Sequence, residues 1–286
     1  MAEPVRKMPA GGEPDTASPD PDPFRYGWRP RYVCLPSGYL EEQQIPLTAE
    51  DLLDPLPGDV VTQSDPHFGL LILLAELLRR HYSSRDDVFV AGDLKMLWGI
   101  PGLAEPAPDI AVIPGVRRKH DSTRSSFNCT REGTRPCLVI ELVSSVDSAT
   151  RRNDYEKKVE IYQRVGIPEY IILDPPTPAT GERLLLAGYR LGANGRYQPI
   201  EPDPQGRLLS ATTSLLFGVA GDESTLQVFD AATGKRLLTS GELAAARTAA
   251  EERYRISEEK ARREAEARKA AEAEIARLRA ELERRR

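Results

Sequence analysis

The stretch from Cys137 to Pro175 constrains this fold more than any other. It reads strand, helix, strand: "CLVIELV", then "SATRRNDYEKKVEIYQRVG", then "EYIILDPP". Leu138, Val139, Ile140, Leu142 and Val143 are apolar without alternation, the pattern of a strand covered on both faces. In the next segment Tyr155, Val159, Tyr162 and Val165 fall on one side at helical spacing, and Gly166 and Pro168 supply the stop. Glu141 sits in the middle of the first strand, where a carboxylate is costly unless something pairs with it.

The surrounding segments extend this pattern. "HFGLLILLAELLRRHY" predicts a buried amphipathic helix, too short an apolar run to cross a bilayer. "DVFVAGDLKMLW", Asp87 to Trp98, and "PDIAVIPG", Pro108 to Gly115, read as strands. Strand–helix alternation from Asp87 to Pro175 therefore argues for an α/β core. Residues 116 to about 135 read as irregular, with Arg117, Arg118 and Lys119 suited to a loop. From Leu184 to Leu238 short strands alternate with Gly, Asn and Pro turns, a β-rich elaboration in which "GANG" marks a hairpin.

The ends differ in composition. Residues 1–30, containing "GGEPDTASPDPDP", bury too little to fold and are expected to be a disordered tail. Residues 31–240 are the expected globular domain. Residues 241–286 lack Pro and, after Gly241, lack Gly; they predict a long charged helix. A 3–4 spaced seam can be drawn from Leu243 to Leu282, through small and polar residues in its middle and with large apolar residues at its C-terminal end, Ile275, Leu278 and Leu282; it makes a coiled coil, and with it a homo-oligomer such as a dimer, an expectation.

Charge narrows the function classes. The net charge of −5 is not the footprint of a generic nucleic-acid binder, so a nucleic-acid role must rest on a local basic patch and metal ions. Three cysteines without a CxxC pattern suggest reduced thiols and a cytoplasmic protein. The N-terminus has no apolar signal-peptide region, so neither secretion nor a membrane anchor is expected. The three histidines do not cluster, so no zinc motif is visible.

Three ionisable positions stand out against burial. Asp109 opens an apolar strand, Glu141 interrupts another, and Lys158 lies on the following helix with Asp154 one turn earlier. Two carboxylates on adjacent strands suit a hard cation such as Mg²⁺, which takes oxygen ligands and keeps several waters. A nearby lysine can hold or help deprotonate a metal-bound water. The residues alone leave other readings open. Glu141 could be satisfied by Arg or backbone donors, Asp109 could be a strand-entry residue, and Lys158 could pair with Asp154 on a solvated helix face.

"PDIAVI", "LVIELVSS" and "KVEIYQRVGIPEYIILDP" together resemble the bacterial Uma-type restriction endonuclease family, within the PD-(D/E)XK nuclease superfamily. The resemblance covers roughly Leu47 to Ser240 and is strongest from Pro108 to Pro175. It implies a restriction-endonuclease-like mixed β-sheet flanked by helices. It also implies Mg²⁺-dependent hydrolysis of DNA, with Mn²⁺ able to substitute. By that likeness Asp109, Glu141 and the Leu142 backbone carbonyl would hold the metal. The superfamily's usual lysine position falls on Val143, and the lysine is expected to have moved to Lys158, with Lys157 as the less favoured neighbour. Asp93 and His67 match further polar positions of the family. Arg151 and Arg152 are candidates for DNA phosphate contacts, though a solvated helix start explains them equally well. The alternative is an inactive nucleic-acid-binding or assembly module that uses the C-terminal helix.

Overall fold

The computed structural model of the chain describes residues 22–117, 125–143, 148–176, 183–221 and 224–285. It begins with β1 (Gly27–Cys34), β2 (Leu40–Pro46) and β3 (Val60–Val61), with a 3-10 turn at Asp51–Leu53. Next come α1 (Asp65–His81), β4 (Val88–Gly92), β5 (Lys95–Leu97), β6 (Ile110–Pro114), β7 (Ser126–Asn128), α2 (Cys129–Glu132) and β8 (Leu138–Leu142). A helical stretch follows in three pieces: α3 (Ser148–Arg152), a π-helical turn (Asn153–Lys157) and α4 (Lys158–Val165). The chain then forms β9 (Glu169–Asp174), β10 (Leu185–Leu191), β11 (Tyr197–Pro199), β12 (Leu208–Ser210), β13 (Leu215–Val219), β14 (Leu226–Asp230) and α5 (Ser240–Arg284).

The central sheet has the order β11-β10-β9-β8-β6-β4. β8 and β9 are parallel, because the helical stretch between them returns the chain to its starting end. The other four pairs are antiparallel, so the sheet is mixed. β8 lies inside this sheet with all five residues buried, which accounts for its unbroken apolar sequence. Alternation sends Leu138, Ile140 and Leu142 to the face covered by Leu74, Leu77 and Leu78 of α1. It sends Val139 to the other face, against Ile161, Tyr162 and Val165 of α4. Glu141 shares that second face, so its carboxyl points toward α4.

Each helix has recognisable ends. α1 carries Pro66 in its first turn and Arg79, Arg80 and His81 in its last, where cations complement the helix dipole. α4 stops at Gly166, whose φ of 81° is the left-handed conformation of a helix C-cap. The small sheet β12–β13–β14 joins the α1 layer through Leu215, Phe217, Leu226 and Val228. α5 starts with a full capping box, Thr239 with Glu242, and none of its residues is buried. Its start is tied to α1, with Arg80 donating to Leu238 O at 3.0 Å. No described helix is long and apolar enough to cross a membrane.

Three expectations change. Residues 1–21 lie outside the described residues, but the chain is already in β1 at Gly27, before the expected tail limit of residue 30. The single strand expected over Asp87–Trp98 is split into β4 and β5 at Asp93, whose φ of 49° breaks extended geometry. The region read as irregular before residue 135 contains β7 and α2, the latter capped by the Asn128 side chain. Arg118, Lys119 and Ser145 lie outside the described residues.

Candidate active site

The register between β6 and β8 builds the site. Ile110 stands opposite Ile140, so Asp109, one step before β6, meets the end of β8. The Leu142 N–H donates to Asp109 Oδ2 at 2.8 Å. The Asp109 N–H reaches Glu141 Oε2 at 3.4 Å. Both polar groups of a strand residue point to the same edge, so the Leu142 carbonyl faces the Asp109 side together with its N–H. From α1, His67 Nε2 comes within 3.1 Å of Asp109 Oδ1.

The helix supplies the other wall. Lys158 Nζ stands 3.0 Å from Glu141 Oε2 and 2.8 Å from Asp154 Oδ1. Tyr162 donates its hydroxyl to Glu141 Oε1 at 2.5 Å. The π turn sets this alignment: the Lys158 N–H bonds to Asn153 O, five residues back, instead of Asp154 O. The carbonyl thereby released, Asp154 O, accepts from the Tyr170 hydroxyl at 2.8 Å. The cleft they border has a volume of about 110 Å³, and its lining includes Asp93, Asp109, Glu141, Asn153, Asp154 and Lys158.

Burial and crowding set the charges. Desolvation, with Asp109 and Asp154 nearby, pushes the Glu141 carboxyl up to about 8 against the pull of Lys158. Desolvation also raises Asp154. Asp109 goes the other way: burial would raise it, but the hydrogen bond and charge of His67, together with the Lys158 charge and the Leu142 N–H, hold it low. Lys158 should lose its proton on burial, yet Asp154, Glu141 and Asp109 hold it above the ordinary lysine value. Lys158 is therefore an ammonium among three carboxyl groups.

A second buried glutamate gives the contrast. Glu169 accepts from Arg190 Nε, Ser210 Oγ, Thr212 Oγ1 and the N–H groups of Ala211 and Thr212. Those donors overcome desolvation and lower its pKa. Glu169 is a satisfied structural carboxylate, whereas Glu141 is held in a cavity with its charge incompletely compensated.

The structure brings Asp109, Glu141, Leu142, Lys158, His67 and Asp93 to one cavity. Asp93 is exposed there, and its carboxyl is raised by desolvation and by Asp109. Lys157 does not join them, since its ammonium pairs with Glu50. Arg151 is turned to the protein, paired with the buried Asp174 and lying over the Tyr155 ring. Arg152 is exposed. Lys158 does pair with Asp154 at i, i+4 but not on a solvated face: its side chain is only 13% exposed. Asn153 was not foreseen in the site, and Tyr162 was read only as part of the apolar helix face. No residue type in the sequence marks the π turn that recruits them.

Among the described residues no three His, Cys, Asp or Glu side chains converge as a metal cage. The donor set still fits a hard cation of the Mg²⁺ kind, which takes one or two carboxylates and fills its remaining positions with water and substrate oxygens. Asp109 and Glu141 provide those carboxylates, and the raised Glu141 carboxyl is a group that a cation would ionise.

The family model described as "Uma2: Putative restriction endonuclease" matches residues 53–227. A solved structure described as a putative nuclease belonging to DUF820, from Anabaena variabilis ATCC 29413, is similar at 13% identity. That match covers 70% of this chain and 77% of the other, with a TM-score of 0.29. No curated protein matches the chain.

Proposed function

The chain belongs to the Uma2 family, and from that premise we propose that it is a divalent-cation-dependent endonuclease that hydrolyses DNA phosphodiester bonds. The observation that carries the proposal is the reach of Lys158 from α4 to Glu141, 3.0 Å away. Val143, where the superfamily usually has its lysine, is buried and apolar. A lysine supplied from the helix restores the missing charge.

In this reading Asp109, Glu141 and the Leu142 carbonyl would hold Mg²⁺, and Mn²⁺ would be able to replace it. When bound, such an ion supplies Lewis-acid stabilisation of phosphate charge and a water of lowered pKa. The chain's own residues do the rest. Asp154 keeps Lys158 protonated, so Lys158 acts as a donor that orients the attacking water and offsets developing negative charge, not as a base. Tyr162 fixes the Glu141 carboxyl by donating to Oε1. His67 does the same for Asp109 from α1.

Incubation with supercoiled plasmid and Mg²⁺ tests this. Nicking or linearisation is expected, lost with EDTA and in Glu141→Ala. Cleavage that survives Glu141→Ala removes that residue from the mechanism. The free state of Cys34, Cys129 and Cys137 supports a reducing, cytoplasmic setting.

A second reading concerns assembly. α5 exposes Ile275, Leu278 and Leu282 at seam spacing, which supports a homodimer formed through its C-terminal end. Leu278→Glu with Leu282→Glu in the full chain is expected to halve the mass seen by light scattering. An unchanged mass counts against a dimer through this seam.

A further inference from the structure

Asn153 is a buried polar residue that the mechanism above does not use. It opens the π turn, is 3% exposed and lines the cavity. Its Nδ2 donates to Ala49 O at 2.6 Å, which fixes the orientation of the amide because a carbonyl only accepts. The other end, Oδ1, is buried with no donor among the described residues. A buried acceptor left in this state has lost its hydration with no bond to replace it. Such groups in native structures mark a catalytic role or the place of a water or ion.

The neighbouring oxygens are better supplied. Asp109 Oδ1 meets His67, and Asp109 Oδ2 accepts from the Leu142 N–H. Asp154 Oδ1 is taken by Lys158. A hard cation keeps several waters, and their protons need acceptors on the protein. Outer partners of this kind orient what the metal holds.

We propose that Asn153 Oδ1 accepts a hydrogen bond from a water of the hydrated divalent cation, which makes Asn153 a positioning residue of the metal site. The inference rests on the reading of Asp109 and Glu141 as the cation's carboxylates. Asn153 opens the π turn that also carries Asp154, the partner of Lys158. In that turn the Asn153 carbonyl takes the Lys158 N–H that Asp154 O would accept in a regular helix.

Calorimetric titration of Mn²⁺ into wild type, Asp109→Asn and Asn153→Leu tests it, with folding checked first by circular dichroism. Wild type is expected to bind, Asp109→Asn to bind far more weakly, and Asn153→Leu about 10-fold more weakly. If Asp109→Asn is impaired but Asn153→Leu stays within about twofold of wild type, the Asn153 role is overturned and the carboxylate site stands. A fall in Tm without a change in Mn²⁺ affinity has the same meaning, since the bond to Ala49 alone would produce it. No binding by wild type, or equal binding by Asp109→Asn, overturns both. If Asn153→Leu does not fold, Asn153→Ala is read by the same criteria.

Discussion

Lys158 Nζ lies between Glu141 Oε2 and Asp154 Oδ1, 3.0 Å and 2.8 Å away, so one helix cation closes over carboxyl groups from the sheet and from its own π turn. Removing it leaves two buried acids without their cation. Lys158→Met is therefore expected to destabilise the fold by about 3–5 kcal/mol near neutral pH. It should also lower cleavage by roughly 10²–10³-fold. Urea unfolding and plasmid cleavage under folded conditions measure the two effects. Lys158→Arg is not expected to restore activity, because a forked guanidinium does not occupy the place of a compact ammonium.

Glu141 makes apo stability depend on pH. Its folded pKa, about 8, lies above the ordinary value of 4.5. The fold favours the neutral carboxyl, so its contribution is fully present below about 4.5 and is lost as pH rises through about 8. Glu141→Gln should thus be near neutral at pH 5 and stabilising by roughly 1–3 kcal/mol at pH 9 in EDTA. Denaturation at the two pH values checks this; an equal effect at both contradicts the raised carboxyl.

The tyrosines test the π turn. Tyr170→Phe leaves Asp154 O without its hydroxyl donor and should cost about 1–3 kcal/mol. Tyr162→Phe removes a donor to Glu141 and should cost about 1.5–3 kcal/mol where Glu141 is ionised, less at pH 5. Chemical denaturation reads both, and stability unchanged in both variants contradicts these bonds.

The basic residues divide by environment. Arg151 is the cation beside buried Asp174, so Arg151→Ala should lower stability by up to about 3 kcal/mol with no change in the salt dependence of DNA binding. Lys157→Ala, which breaks an exposed pair with Glu50, should change stability by less than about 1 kcal/mol and leave cleavage intact. Arg152→Ala should reduce the salt slope by about one.

Much of the architecture was legible because burial leaves a compositional mark. "CLVIELV" showed a two-faced strand, and Asp109, Glu141 and Lys158 stood out as charges in or beside buried elements. The residues alone left the side of the helix open, because an i, i+4 pair such as Asp154–Lys158 looks the same in sequence whether water or a sheet lies beside it. The break at Asp93 was hidden by apolar neighbours on both sides. The β1–β2 hairpin escaped notice because every residue of β2 is exposed, so no alternation records it. The π turn has no residue signature at all, and Asn153 entered the cavity with it.

The central claim is that Asp109 and Glu141 share a divalent cation beneath Lys158. Anomalous diffraction from a crystal soaked in Mn²⁺ tests it most directly. A peak at about 2.0–2.3 Å from both carboxyl groups, with the Leu142 carbonyl also in contact, is the predicted result. A well-ordered site with no peak there, and Lys158 still bridging Glu141 and Asp154, would contradict it.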